Sequence, residues 1–221
     1  DDDDDLNETN HIETIIVSIV YGLTFLAGSV GNSLVIICIL KFKKMRSVTN
    51  VFLLSLASAD LLLVFACVPI KLAKWFTFTW DLGVVLCKLV HYIQNVSVIC
   101  SVLTLTTISI ERYYAILRPM QSRFNCTHHR AKKMVCFVWL LSTILATPIL
   151  YGQQSLRAVG EDGDLFWCVK MWPSKAVERF FEIWMLVLVL IIPLSVMIFA
   201  YVGICRELWN VMAMRGSMVA R

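Results

Sequence analysis

Between Lys88 and Glu111 lie 22 consecutive residues without a formal charge, and the run ends on an adjacent acid and base, Glu111 and Arg112. A stretch that long and that apolar crosses a bilayer as a helix. The pattern recurs along the chain. Ile15 to Leu40 holds 26 uncharged residues, Met134 to Tyr151 is uncharged throughout, and Ile183 to Cys205 holds 23 more. Val51 to about Phe76 is apolar except for Asp60 at its middle and Lys71 and Lys74 near its end. In hydrocarbon every backbone N–H and C=O must bond within its own segment, so such runs fold as helices. The expected fold class is therefore an all-α membrane protein, a transmembrane bundle of five helices. With 58% hydrophobic and 16% charged residues, the chain is too poor in charge for an ordinary soluble domain.

Charge sets the expected orientation. Lys41, Lys43, Lys44 and Arg46 place four positive charges within six residues after the first span. Arg118, Arg123, Arg130, Lys132 and Lys133 follow the third. Basic residues crowd the cytoplasmic ends of spans, so the amino terminus is expected outside and the carboxyl end inside. Residues 1–14 then form an extracellular tail, 15–205 the spans and loops, and 206–221 a cytoplasmic extension of helix five. The acidic start, Asp1 to Asp5, has neither a basic region nor an apolar core and is not a signal peptide. Without an initiator Met, the chain is expected to be processed or trimmed. Asn7-Glu8-Thr9 is a glycosylation sequon on the outer side, so Asn7 is the expected sugar acceptor. The sequons at Asn95 and Asn125 fall in a span and on an inner loop, out of reach of that machinery.

Other function classes find little support. The eight cysteines make none of the close pairs of a zinc or redox motif. No nucleophile–base constellation suggests an enzyme. A net charge of +4 is weak ground for a nucleic-acid partner, and none is expected. A transporter would suit the intramembrane Asp60, but the chain lacks the internal repeats and paired broken helices of that class. Pro69 and Pro193 are expected to kink or break their helices.

The block from Ser109 to Met120, with Glu111-Arg112-Tyr113 and then Pro119, resembles the acid-Arg-Tyr signature of rhodopsin-like G-protein-coupled receptors. Further residues carry the resemblance in order: Asn32 in Gly-Asn-Ser-Leu-Val, Asp60 in Leu-Ala-Ser-Ala-Asp-Leu, Trp139 in the fourth span, and Pro193 with Tyr201 in the fifth. Several stretches are similar to neuropeptide receptors, including the cholecystokinin, galanin/allatostatin and RFamide groups. The likeness implies an extracellular peptide ligand, a heterotrimeric G protein as partner and the plasma membrane as location; a receptor dimer is a further expected partner.

The resemblance also implies roles. Glu111 and Arg112 would lock the resting state, with Tyr201 the partner of a released Arg112, while Tyr113, Pro119 and Met120 would face the G protein. The bland reading of the acid and base is an interfacial ion pair of little strength. Cys87 and Cys168 would form a disulfide tying helix three to the second outer loop. Asp60 and Ser101, with Asn32 close by, would hold an allosteric sodium ion, with no other cofactor; the alternative is a carboxyl kept neutral by burial.

For the ligand, Gln94 stands two turns beyond Cys87, where an amine receptor of this family would carry Asp. A peptide or other hydrogen-bonding ligand suits it better. Val98 and Met185 are further expected ligand-binding residues. Glu178 and Glu182, four apart on one helical face, could receive a basic group, and Lys71 and Lys74 an acidic group or carboxy terminus. Solvated headgroup-level charge explains each pair equally well. Trp75, Trp80, Trp167 and Trp172 read as lid aromatics or as an interfacial belt. The family's sixth and seventh helices, with Cys-Trp-x-Pro and Asn-Pro-x-x-Tyr, do not occur in the sequence. It is therefore expected to be part of a longer receptor, or else a truncated, non-signalling form that pairs with a full-length one.

Overall fold

In the computed structural model, residues 2–42, 45, 47–77, 79–120, 127–160 and 163–219 are described, with side chains for 12–42, 45, 47–77, 79–120, 127–157 and 165–214. Helix α1 spans Asp2–Lys41, α2 Val48–Thr77 and α3 Gly83–Leu117. Helix α4 spans His128–Ala146 and the short α5 Pro148–Gly152. A two-stranded sheet follows, then α6 Lys175–Leu186, a π-helical segment Val187–Ile191, and α7 Ile192–Val219. Among the described residues, five stretches are long and apolar enough to cross a membrane: Ile12–Lys41, Val48–Thr77, Gly83–Leu117, His128–Gly152 and Lys175–Met214. Large apolar side chains such as Phe180, Phe199 and Trp209 are exposed around them, as a lipid-facing surface requires.

Helix α3 is the centre of the bundle, packing against α2, α4 and α7, while α1 lies against α2. Small residues permit the close approaches. A Cβ on Gly28 of α1 would stand 2.7 Å from Cγ2 of Val64 on α2, and one on Gly203 of α7 would stand 2.7 Å from the Tyr113 ring on α3. Trp139 Nε1 donates to Ser55 Oγ at 3.0 Å, joining α4 to α2. Tyr92 Oη donates to the Thr143 carbonyl at 3.1 Å, joining α3 to α4. Leucine at Gly28 is expected to destabilise the bundle by about 1–3 kcal/mol through overpacking. Thermal unfolding in micelles checks this, and the Tm should fall.

The structure departs from the sequence expectations in three places. Helix α1 runs from Asp2, so the described part of the expected tail, residues 2–14, is helical and continuous with the first span; the Asn7 side chain lies outside the described ones. Pro193 does not break helix five. Proline lacks an N–H and its ring crowds the carbonyl four residues back, here Val189. The wider turn at Val187–Ile191 absorbs that conflict, and the helix continues. The long polar loop Gly152–Lys175 contains an antiparallel hairpin, β1 Gln153–Gly160 and β2 Gly163–Lys170, with Ser155 opposite Cys168. Its signal in the sequence is Gly160-Glu161-Asp162-Gly163, a turn composition between two runs with apolar and aromatic residues.

Candidate functional site

Two ends of the bundle and one point between them gather the chemistry. At the hairpin end, Cys87 at the start of α3 is bonded to Cys168 on β2, with Cα atoms 5.7 Å apart. An apolar cluster of Cys67, Trp80, Val90 and the disulfide surrounds the link. The turn before α3 adds to it. Gly83 has φ +80°, a left-handed conformation that glycine adopts without strain. Its carbonyl accepts the Trp80 indole N–H at 2.7 Å. The Trp80 backbone N–H donates to the Phe166 carbonyl at 2.7 Å, so this turn and the hairpin are stitched together. Only 2% of Trp80 is exposed, which makes it a core residue and not a belt residue. Trp172 stacks on Phe181 with centroids 4.8 Å apart and closes over Gly152. Trp75 and Trp167 remain partly exposed.

The polar residues expected around a ligand are held differently from one another. Lys74 Nζ donates to the Cys168 carbonyl at 3.5 Å, so it turns toward the hairpin. Glu182 meets Lys170 of β2 at 3.8 Å. Gln94 and Glu178 are half-buried and Val98 is exposed. Met185 is drawn into packing with Val96, Ile99 and Ala146.

Midway along the bundle Ser101 Oγ donates to Asp60 Oδ1 at 3.0 Å. Asn32 gives its amide N–H to the Gly28 carbonyl one turn back, not to Asp60. Ser97, one turn from Ser101 on α3, has a buried hydroxyl with no hydrogen-bond partner among the described residues. Two hard oxygens, with an orphaned hydroxyl one turn along the same helix, fit a small alkali cation as part of its shell.

At the opposite end, Glu111 and Arg112 pair at 3.6 Å, with side chains 12% and 49% exposed. Thr49 on α2 joins both: it donates to Glu111 Oε2 at 3.0 Å and accepts from Arg112 Nη2 at 2.6 Å. Sequence reasoning missed Thr49, because a hydroxyl in a helix carries no signal of a partner 62 residues away. Its substitution by valine removes two hydrogen bonds to charged groups and is expected to cost about 1–3 kcal/mol, read as a lower Tm in micelles. Tyr201 is 50% exposed and makes no hydrogen bond to Arg112 among the described residues, so this conformation does not bring the pair together. Tyr113 instead packs on Phe199, centroids 5.8 Å apart. Pro119 begins a short helical turn, and Met120 is 76% exposed.

A central helix with an acid-Arg-Tyr end, a disulfide-held hairpin at the other end and a mid-span carboxylate together define a membrane receptor, and the chain belongs to the seven-transmembrane receptors of the rhodopsin family, whose family model matches residues 31–220. It is 36% identical over 200 residues to a QRFP-like peptide receptor of Branchiostoma floridae, covering 88% of this chain and 52% of that one. It is 39% identical over 202 residues to the mouse gastrin/cholecystokinin type B receptor, covering 91% and 44%, and 34% identical over 199 residues to mouse galanin receptor type 1, covering 89% and 56%. The chain thus spans about half the length of these relatives. They are receptors, not enzymes.

Proposed function

We propose that the chain belongs to a plasma-membrane receptor that binds an extracellular peptide at its hairpin end and activates a heterotrimeric G protein at its Glu111 end, with the amino terminus outside. The observation that carries this reading is the placement of α3. One continuous helix bears the hairpin anchor Cys87 at its start and the Glu111–Arg112 pair near its finish. A peptide that moves the hairpin therefore acts on the helix that presents Arg112. In the resting state Thr49 and Glu111 hold the guanidinium against α2. Release of Arg112 exposes a cation and its five N–H donors to an intracellular partner, beside Tyr113, Pro119, Met120 and the inner part of helix five. Tyr201 would join Arg112 in that released state only. The proposal includes a sodium ion held by Asp60 and Ser101, which would supply a countercharge to the carboxylate.

The test uses cells expressing the complete coding sequence to which the chain belongs. They are challenged with synthetic gastrin/cholecystokinin, galanin and QRFP-type peptides, and nucleotide exchange on G proteins is measured. A peptide-dependent rise supports the proposal. Binding without exchange favours a non-signalling form that pairs with a full-length receptor. Neither binding nor exchange across the panel overturns the peptide reading.

A further inference from the structure

At the hairpin end a cavity of about 360 Å³ opens between α1, α2 and α3. Lys71, Lys74 and His91 line it together with Tyr21, Trp75 and Trp80. Among the described residues no carboxylate lines it, and none forms an ion pair with Lys71 or Lys74. Both lysines are half-buried. Three apart on one helix, they share a face and repel each other. A cation withdrawn from water is costly until it meets an opposite charge.

Two other polar groups of the wall are already engaged. The Trp80 indole N–H is used by Gly83. His91 Nδ1 lies 2.9 Å from the Cys87 carbonyl, an acceptor, so that nitrogen carries the proton and Nε2 of the neutral ring is itself an acceptor that offers an anion no hydrogen bond. Lys74 reaches in toward the Cys168 carbonyl, away from the headgroups a lysine at this depth would otherwise seek. The acidic pair on α6 stands in contrast. Glu182 already has Lys170, and a basic ligand group would have to displace it for the small return of an exposed pair.

The geometry points to this cavity as the subsite for an anionic group of the ligand, a carboxylate or an anion of similar size, received by Lys71 and Lys74. This rests on the peptide-receptor reading and adds the sign of the ligand's recognition charge.

The experiment uses the complete protein to which the chain belongs, held in nanodiscs of neutral phosphatidylcholine. Two pools of amidated hexapeptides are passed over it, one with Asp or Glu at a single position and a matched pool with Asn or Gln there. The acidic pool should be retained about tenfold more strongly than the amide pool, the return of a charge-assisted hydrogen bond. The preference should vanish in K71Q/K74Q and persist in K71R/K74R, which keeps the charges. Equal retention of both pools overturns the anion subsite and leaves the peptide reading standing. So does an acid preference that survives K71Q/K74Q, since the acid is then read elsewhere. Loss of the preference in nanodiscs containing phosphatidylserine also overturns it, because the lysines are then anchors for lipid headgroups. Retention of neither pool removes the peptide reading and the subsite with it.

Discussion

Peptide binding is expected to weaken about tenfold or more when Cys87 and Cys168 are both replaced by serine. The link closes a separation of 81 residues. Chain-entropy arguments assign such a loop about 4–5 kcal/mol, an upper figure here because the membrane already restrains the helices within that loop. What else holds the hairpin is weaker. The Lys170–Glu182 pair is half-exposed on both sides and contributes at most about 1 kcal/mol. The backbone bonds from Trp80 to Phe166 and from Met171 to Gly152 add about 1 kcal/mol each. Without the covalent tie, the hairpin spends less time in its binding conformation, and apparent affinity falls by that fraction. Radioligand binding measures it. The comparison variant Glu182→Gln should change affinity less than about threefold, which separates the anchor from the ion pair.

The second large effect concerns signalling and not binding. Arg112→Ala is expected to reduce peptide-stimulated nucleotide exchange about tenfold or more, with peptide affinity measured without G protein unchanged. The guanidinium is half-exposed while its partner Glu111 is mostly covered. The acid is therefore the fixed side of the pair and the base is the side that can turn outward. Removing the base removes the charge-assisted contacts it would offer a partner, each about 1.5–3 kcal/mol. Glu111→Gln should act in the opposite sense and raise basal exchange, because it loosens the hold on Arg112 but leaves Thr49. Equal loss of binding and exchange in Arg112→Ala would make the residue structural.

How much of this was legible depended on how local the information is. Five spans could be read because a membrane span needs only apolar residues in succession. The acid and base at 111 and 112 were legible as neighbours. The third member, Thr49, was not, because it reaches them across the packing of α2 on α3. The pairing of Cys87 with Cys168 was expected from resemblance alone; eight cysteines by themselves leave the partners open. The hairpin carried a turn signal at Gly160 to Gly163, masked by the acidic residues there, which also suit an irregular loop. The lysines at 71 and 74 were visible, but their lack of an acidic neighbour is a property of three helices at once.

The π-helical turn at Val187–Ile191 also acts as a phase shifter. One extra residue per turn offsets the angular position of everything beyond it by about 100° relative to a regular helix. The residue of the fifth span that meets the hairpin, Glu182, and those that face α3 farther on, Phe199 and Gly203, are thus indexed independently. The receptor's two ends can drift in sequence without dragging each other out of register, and the offset is a place where a small rewinding would turn one end against the other.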